Sequence, residues 1–434
     1  MPELETEDDP WSLDGDASDD THACHDAVLP VEILERIVDY LSLNGSVADL
    51  RSCALTHRVL LPRARLYVFT TLTLRSQDAF ANYLTTLRSG KLTGSSIASY
   101  VQRLRVRNVG RDAQKWWSWP VHIPMLLGPW LVNLAELCMS CPIMDPHPTF
   151  FVSVASYFTK VHTLELAGPV HLSVYNLIRM ISAFPSLEAL TVNLDGVRWP
   201  NLTPEDLLAM QPDPGMFLRL PQKLRQKLHL RSLSVASVDP QISYLIDWII
   251  DGPSVTTLRT LWFEFWDEQV LGPVGQLVSA CGASLEDLTL DSCCGPVSAS
   301  ALGNIDLKHN TNLRRLYLPH IDTSHVPTLI TLLSSVTSKQ LASVSLRLYA
   351  TTRVGLKDNP DDHWIRLDAL LAEASSFSSC LKEVEIYLEM KDKVFDPHAP
   401  TTFQRRLEKR LLKLRKRGVL KLDGRRPFRC MIKW

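Results

Sequence analysis

Cys138-Met139-Ser140-Cys141 has the spacing at which two thiolates can share a zinc ion or close a redox disulfide. A structural zinc site needs a second pair of ligands, and no second C-x-x-C occurs in the chain. Cys293 and Cys294 are adjacent, and the remaining cysteines are scattered, nine in all, an odd number without a framework spacing. Reduced thiols fit this usage better than disulfides or a metal centre. The phosphate-cradling strings G-x-x-x-x-G-K-[ST] and G-x-G-x-x-G are absent, as are the zinc-protease string H-E-x-x-H and the hydrolase elbow G-x-S-x-G. The sequence therefore assigns no catalytic residue, no metal ligand and no cofactor, and binding is the expected role.

Binding residues need elements to hold them, and the composition allows such elements over most of the length. Of 434 residues, 45% are hydrophobic and 21% charged, ordinary values for a folded chain too long for one small core. The net charge of -1 hides a polar distribution. Residues 1–27 carry ten Asp or Glu and no Lys or Arg, which points to a disordered acidic tail. Arg405 to Arg429 holds twelve Lys or Arg against Glu408 and Asp423, a local charge of +10. A secretory leader and a membrane span are not expected, because the most apolar stretch, Ile123 to Met139, is broken by Pro124, Pro129, Asn133 and Glu136. The expected compartment is the cytoplasm, the nucleus or both.

An L-x-x-L-x-L cadence returns ten times, with its middle residue at Leu104, Leu137, Leu164, Leu190, Leu233, Leu261, Leu288, Leu316, Val344 and Val384. Six of the nine intervals are 26 to 28 residues, the length of a leucine-rich repeat with one strand and one helix. Amphipathic stretches such as VYNLIRMISAF and VPTLITLLSSV fall between the copies. The fold class expected is α/β: a short all-α module, then an irregular leucine-rich-repeat solenoid of parallel strands lined by helices, a horseshoe. The solenoid is expected over 71–400, with insertions near 195–228, rich in proline from Pro200 to Pro221, and near 350–363. The basic segment 401–434 is expected to cap it, with Phe403, Leu407, Leu411 and Leu414 on one helix face.

Over 28–70 the periodicity changes to that of short helices. Pro30 suits a first helical turn, and Ile33, Leu34, Ile37, Val38 and Leu41 follow at helical spacing. After Asn44-Gly45-Ser46 a second pattern runs through Leu50, Cys53, Ala54 and Leu55 to Pro62. By periodicity alone these helices could simply cap the repeats. The strings LPVEILERIVDYLS and ADLRSCALTHRVLLPRARLYVFTTLTLRS, however, resemble the F-box of fungal F-box proteins. The resemblance departs at His57-Arg58-Val59-Leu60, where Cys-Arg-x-Trp is common, so Leu60 leaves a smaller anchor.

The resemblance implies a substrate-recognition subunit of an SCF-type cullin-RING ubiquitin ligase that performs no chemistry itself. Its implied partners are a Skp-type adaptor, through that adaptor a cullin, and an unidentified protein substrate. The implied adaptor-binding residues are Leu29, Pro30, Ile33, Leu34, Ile37, Leu41, Leu50 and Leu55. A leucine-rich-repeat scaffold without ligase association is the alternative.

In each L-x-x-L-x-L copy the leucines point inward, so the residues between and beside them emerge on the opposite sheet face. Arg105, Trp262, Glu264, Arg315, Tyr317 and Arg347 fall there and are the candidate substrate contacts, being of types, the carboxylate apart, that dominate protein interfaces. The face is mixed in sign, which argues against a nucleic-acid groove and a continuous basic stripe. Trp116-Trp117-Ser118-Trp119 follows the first of these strands and is expected to be buried.

Overall fold

The computed structural model describes residues 29–44, 46–89, 94–107, 119–140, 146–167, 174–193, 228–237, 242–293, 295–350, 361–374, 377, 379–390 and 399–423. The acidic tail, Trp116, Trp117, Cys141, the side chain of Phe403 and most of both expected insertions lie outside the described residues. The chain divides into two compact units between Val68 and Phe69.

Among the described residues the first unit holds three helices, α1 Val31–Asn44, α2 Val47–Thr56 and α3 Leu60–Val68. The Pro30 carbonyl accepts from the Ile33 and Leu34 amides, so the proline opens α1 without needing an N–H of its own. Ser46 ends the polar break as the cap of α2: its hydroxyl accepts from the Asp49 amide, and the Asp49 carboxylate accepts from the Ser46 amide at 2.8 Å. Val38, Leu50 and Ala64, one from each helix, form a small core on which Leu41, Ala54, Leu60 and Tyr67 pack. Leu60 thus serves the module's own interior.

A polar clamp fastens α1 to α3. Arg63 donates Nε to Asp39 Oδ1 at 2.7 Å and Nη2 to Oδ2 at 2.8 Å, and the Tyr67 hydroxyl donates to Oδ1 at 2.9 Å. The Arg63 hydrogen bonds, assisted by Tyr67, hold the Asp39 carboxyl below the usual aspartate range. A depressed folded pKa adds stability above the unfolded value and loses it as pH falls through the folded one. In hydrogen exchange across 31–68, Arg63→Gln should raise the rates at neutral pH. The gap from wild type should close as the buffer is taken below about pH 4. A gap that stays constant into acid would mean that the clamp contributes through packing alone.

In the second unit twelve parallel strands lie side by side in chain order among the described residues, from β1 Thr71–Leu74 to β12 Leu420–Asp423. The pairing explains the cadence. The middle residues of the repeats face one another rung by rung, Leu104 against Leu137, Leu233 against Leu261, Leu316 against Val344 and Val344 against Val384. Each of the ten is at most 3% exposed. One strand cannot bury its leucines, but the ladder does so against the helices that return the chain to the next strand, such as Val174–Ser182, Ile242–Ile250 and Val326–Ser334. The second unit is a leucine-rich-repeat-like solenoid of α/β units.

Both terminal strands escaped the leucine pattern. β1 has Phe69 where the first leucine belongs, with Leu72 paired to Leu104. β12 has Arg417 there, with Leu420 paired to Val384. Arg417 donates instead to the carbonyls of Ala372, Leu371 and Leu381, closing the end of the helix Asp361–Glu373. The segment expected to act only as a cap therefore supplies the last strand as well as a helix that buries Leu407, and Leu411 and Leu414 are buried beyond it.

The turns from helix to strand are tied to the preceding repeat by side chains. The Ser284 hydroxyl lies within hydrogen-bond reach of the carbonyls of Cys281, Leu258 and Val255, and the Ser254 hydroxyl donates to Leu228 O. Asn310, fully buried, donates to Val278 O at 2.8 Å and Gly282 O at 3.0 Å. Asn310→Ala removes the donor shared by two carbonyls. It should cost about 2 kcal/mol, seen as a lower thermal midpoint without a change in partner binding. An unchanged midpoint would show that water replaces the amide freely.

Candidate protein-interaction surfaces

Along α1, Leu34, Val38 and Leu41 follow one line at i, i+4 and i+7; Val38 is fully buried and the other two half-buried. Ile33, Ile37 and Tyr40 repeat that spacing one residue earlier, about 100° round the helix, and stand 40%, 44% and 66% exposed. The apolar stripe of the sequence is therefore two stripes. One builds the module's core and the other faces solvent. Leu29, Val31, Leu43, Val47 and Leu55 add to the exposed apolar surface, Leu55 being 88% exposed.

Of the eight residues singled out for adaptor contact, Leu29, Pro30, Ile33, Ile37 and Leu55 are exposed, and Leu34 and Leu41 are half-buried. Leu50, at 4% exposure, belongs to the core and positions α2. It has no surface to offer a partner.

On the open face of the sheet the strands β7 Thr260–Phe265, β8 Asp287–Ser292, β9 Arg315–Asp322, β10 Ser343–Ala350 and β11 Glu383–Met390 carry most of the other candidates. Trp262, Thr289 and Tyr317 stand on one rung of β7, β8 and β9. Trp262 and Tyr317 are half-buried, while the Arg315 side chain is 71% exposed and grips Asp287 with two hydrogen bonds of 2.5 and 2.7 Å. Arg105 lies five strands from Trp262, about 24 Å at normal strand spacing, so it does not share their site.

Two candidates are less open than alternation predicts. Glu264 is 3% exposed, because the chain after β8 folds onto the end of β7. The Cys293 amide donates to Phe265 O, and the Cys293 thiol donates to Glu264 Oε1. Arg347 is sunk into the face beside Asp291, at 3.6 Å with both side chains 12% exposed, and its charge acts on the neighbouring Tyr317 hydroxyl. Burial, reinforced by the Asp291 carboxylate, pushes the Tyr317 hydroxyl well above the usual tyrosine range. Tyr387 donates to Glu385 at 2.7 Å on the next strand.

The structure thus brings Tyr317 and Arg347 together through Asp291, which the sequence pattern did not single out. His320 was also missed. Pro319, with no N–H for the ladder, forms a bulge in β9 that sets His320 opposite Arg347.

Of the C-x-x-C and tryptophan segments, Cys138 and Trp119 do not join these surfaces. Cys138 is 6% exposed on the sheet, and burial, followed by the Glu165 carboxylate, pushes its thiol up to about 11. That is the reverse of an activated thiolate. No group of three or more His, Cys, Asp or Glu among the described residues is arranged to hold a metal ion. Trp119 is 3% exposed against Phe80, with ring centroids 5.5 Å apart. No helix among the described residues is long and apolar enough to cross a membrane.

No family model matches the sequence, and no curated protein matches it. Among solved structures, the crystal structure of the Rad7 and Elc1 complex in yeast is similar at 15% identity. The likeness covers 91% of this chain and 93% of that chain, with a TM-score of 0.37.

Proposed function

We propose that this chain is the substrate-recognition subunit of an SCF-type cullin-RING ubiquitin ligase. The helical module holds a Skp-type adaptor, and through it a cullin, while the open face of the repeats holds a protein substrate. The chain does no bond chemistry. It raises the effective concentration of the substrate beside a conjugating enzyme carried by other subunits.

The observation that carries this reading is the second apolar stripe of α1. A module whose core is three side chains from three helices cannot gain stability by presenting isoleucines, a tyrosine and leucines to water, and contiguous exposed apolar surface marks an interaction site. The sequence Leu29-Pro30 followed by that stripe supports an F-box-like contact, and the mixed polar and aromatic face around Trp262 and Tyr317 supports a protein as the second partner.

The test is co-expression of the full chain with a Skp-type adaptor, followed by gel filtration. Co-elution in a stoichiometric complex is expected. A folded chain that elutes without the adaptor overturns the ligase reading.

A further inference from the structure

Beyond the carboxyl ends of β7, β8 and β9 the three turns enclose a cavity of about 510 Å³. In open α/β sheets this end of the strands is where ligands are held. Phe265 at the end of β7 and Trp266 after it line one side, Val297 lines it from the second turn, and the carboxylates are Asp267, Glu268 and Asp322. Trp266 is 40% exposed although it follows a buried strand.

The carboxylates share one feature. Each has one oxygen engaged by a backbone amide: Asp267 Oδ1 by Gln269 at 3.0 Å, Glu268 Oε2 by Ser298 at 2.9 Å and Asp322 Oδ1 by Ser324 at 2.8 Å. The second oxygen of each has no partner among the described residues, and no Lys or Arg of the described residues pairs with any of the three. Asp322 is nine-tenths buried, with 9% exposure, and lines the cavity; its Oδ1 accepts from both the amide and the hydroxyl of Ser324, and its carboxylate has no cationic partner among the described residues. Buried carboxylates are ordinarily paired, because desolvation of the lone charge is costly.

We infer that this cavity receives an arginine side chain of the protein substrate. A metal ion does not fit, since the carboxylates are not grouped closely enough to ligate one. A guanidinium meets both requirements: its five N–H donors spread over carboxylates set too far apart for a metal, and its planar face stacks on an indole. A lysine ammonium is a compact point charge and would engage fewer of the three. The inference rests on the proposed substrate-receptor reading and adds the residue that the substrate must present.

The experiment uses the full chain and fluorescein-labelled peptides with two arginines in a glycine–serine background, alongside lysine and citrulline versions, read by anisotropy at low salt. The arginine peptide should bind, and the citrulline version, isosteric but uncharged, should be weaker by about tenfold or more. Trp266→Ala should weaken arginine-peptide binding by about tenfold, as should Asp322→Asn, which keeps the oxygen that accepts from Ser324. Asp78→Asn, an exposed carboxylate on another helix, should change nothing.

Absence of binding, equal binding of the citrulline version, or equal loss in Asp78→Asn overturns the site. Equal binding of the lysine version overturns the choice of arginine. Adaptor capture is measured on the same preparations. Capture without peptide binding overturns the cavity alone, and peptide binding without capture overturns the ligase reading alone.

Discussion

Replacing Ile33 and Ile37 together with aspartate should abolish capture of the Skp-type adaptor while leaving the helical module folded. Both side chains already stand in water, at 40% and 44% exposure, so the folded chain loses little when they become polar. In the complex only the exposed 40% and 44% of the two side chains remain to be buried, which contributes about 1 kcal/mol apiece. Those losses together with the larger cost of placing unpaired carboxylates in an apolar contact weaken binding by about a thousandfold. The comparison that gives the result meaning is Val38→Asp on the neighbouring stripe. Val38 is fully buried between α1, α2 and α3, and a carboxylate there should unfold the module as well as prevent capture. Circular dichroism and hydrogen exchange across 31–68 separate the two outcomes. If Ile33→Asp, Ile37→Asp still captures the adaptor, the exposed stripe is not the contact and the assignment fails.

The two stripes also show what a one-dimensional pattern hides. Ile33, Leu34, Ile37, Val38 and Leu41 read as a single face because adjacent residues on a helix differ by only about 100°, and a wide stripe and two narrow ones have the same letters. The partners that α2 and α3 supply, Leu50 and the small Ala64, mark which line turns inward, and they lie outside the helix whose pattern is being read. The strand ladder, in contrast, could be read ahead of the structure. Every rung needs an apolar residue at the same place in each repeat, and the ten middle residues meet that need without exception.

Legibility ended where a repeat met something other than another repeat. Phe69 and Arg417 stand at the two ends in place of leucine, and Pro319 inserts a bulge that no spacing argument anticipates. The Asp39–Arg63 clamp joins residues 24 apart on two different helices, a pairing that no local spacing announces. The cavity beyond β7, β8 and β9 is made by three turns, one from each of three repeats, and Trp266 gave no signal beyond being a tryptophan after a strand. Sites on solenoids are assembled across repeats, so their members are about 28 residues apart and share no local motif.

The second large effect is expected at the sunken rung of the open face. Arg347 and Asp291 lie 3.6 Å apart with 12% exposure each, and both charges act on the Tyr317 hydroxyl. Asp291→Leu leaves a guanidinium in a site with little access to water, and breaking a buried pair in this way costs about 3–5 kcal/mol. Arg347→Met should cost a similar amount, because Asp291 faces Glu264 on the adjoining strand and the guanidinium is the counter-charge between Asp291 and Tyr317. The double variant should recover part of the loss, a coupling of about 1–3 kcal/mol in a double-mutant cycle read from denaturant midpoints. Purely additive losses would show that the two charges act independently. Substrate capture should follow stability only in part, since Tyr317 keeps its ring in either variant but loses one of the two charges beside its hydroxyl. A variant in which stability is restored by the second substitution while capture stays weak would separate the rung's two contributions, holding the sheet together and aiming Tyr317 at the partner.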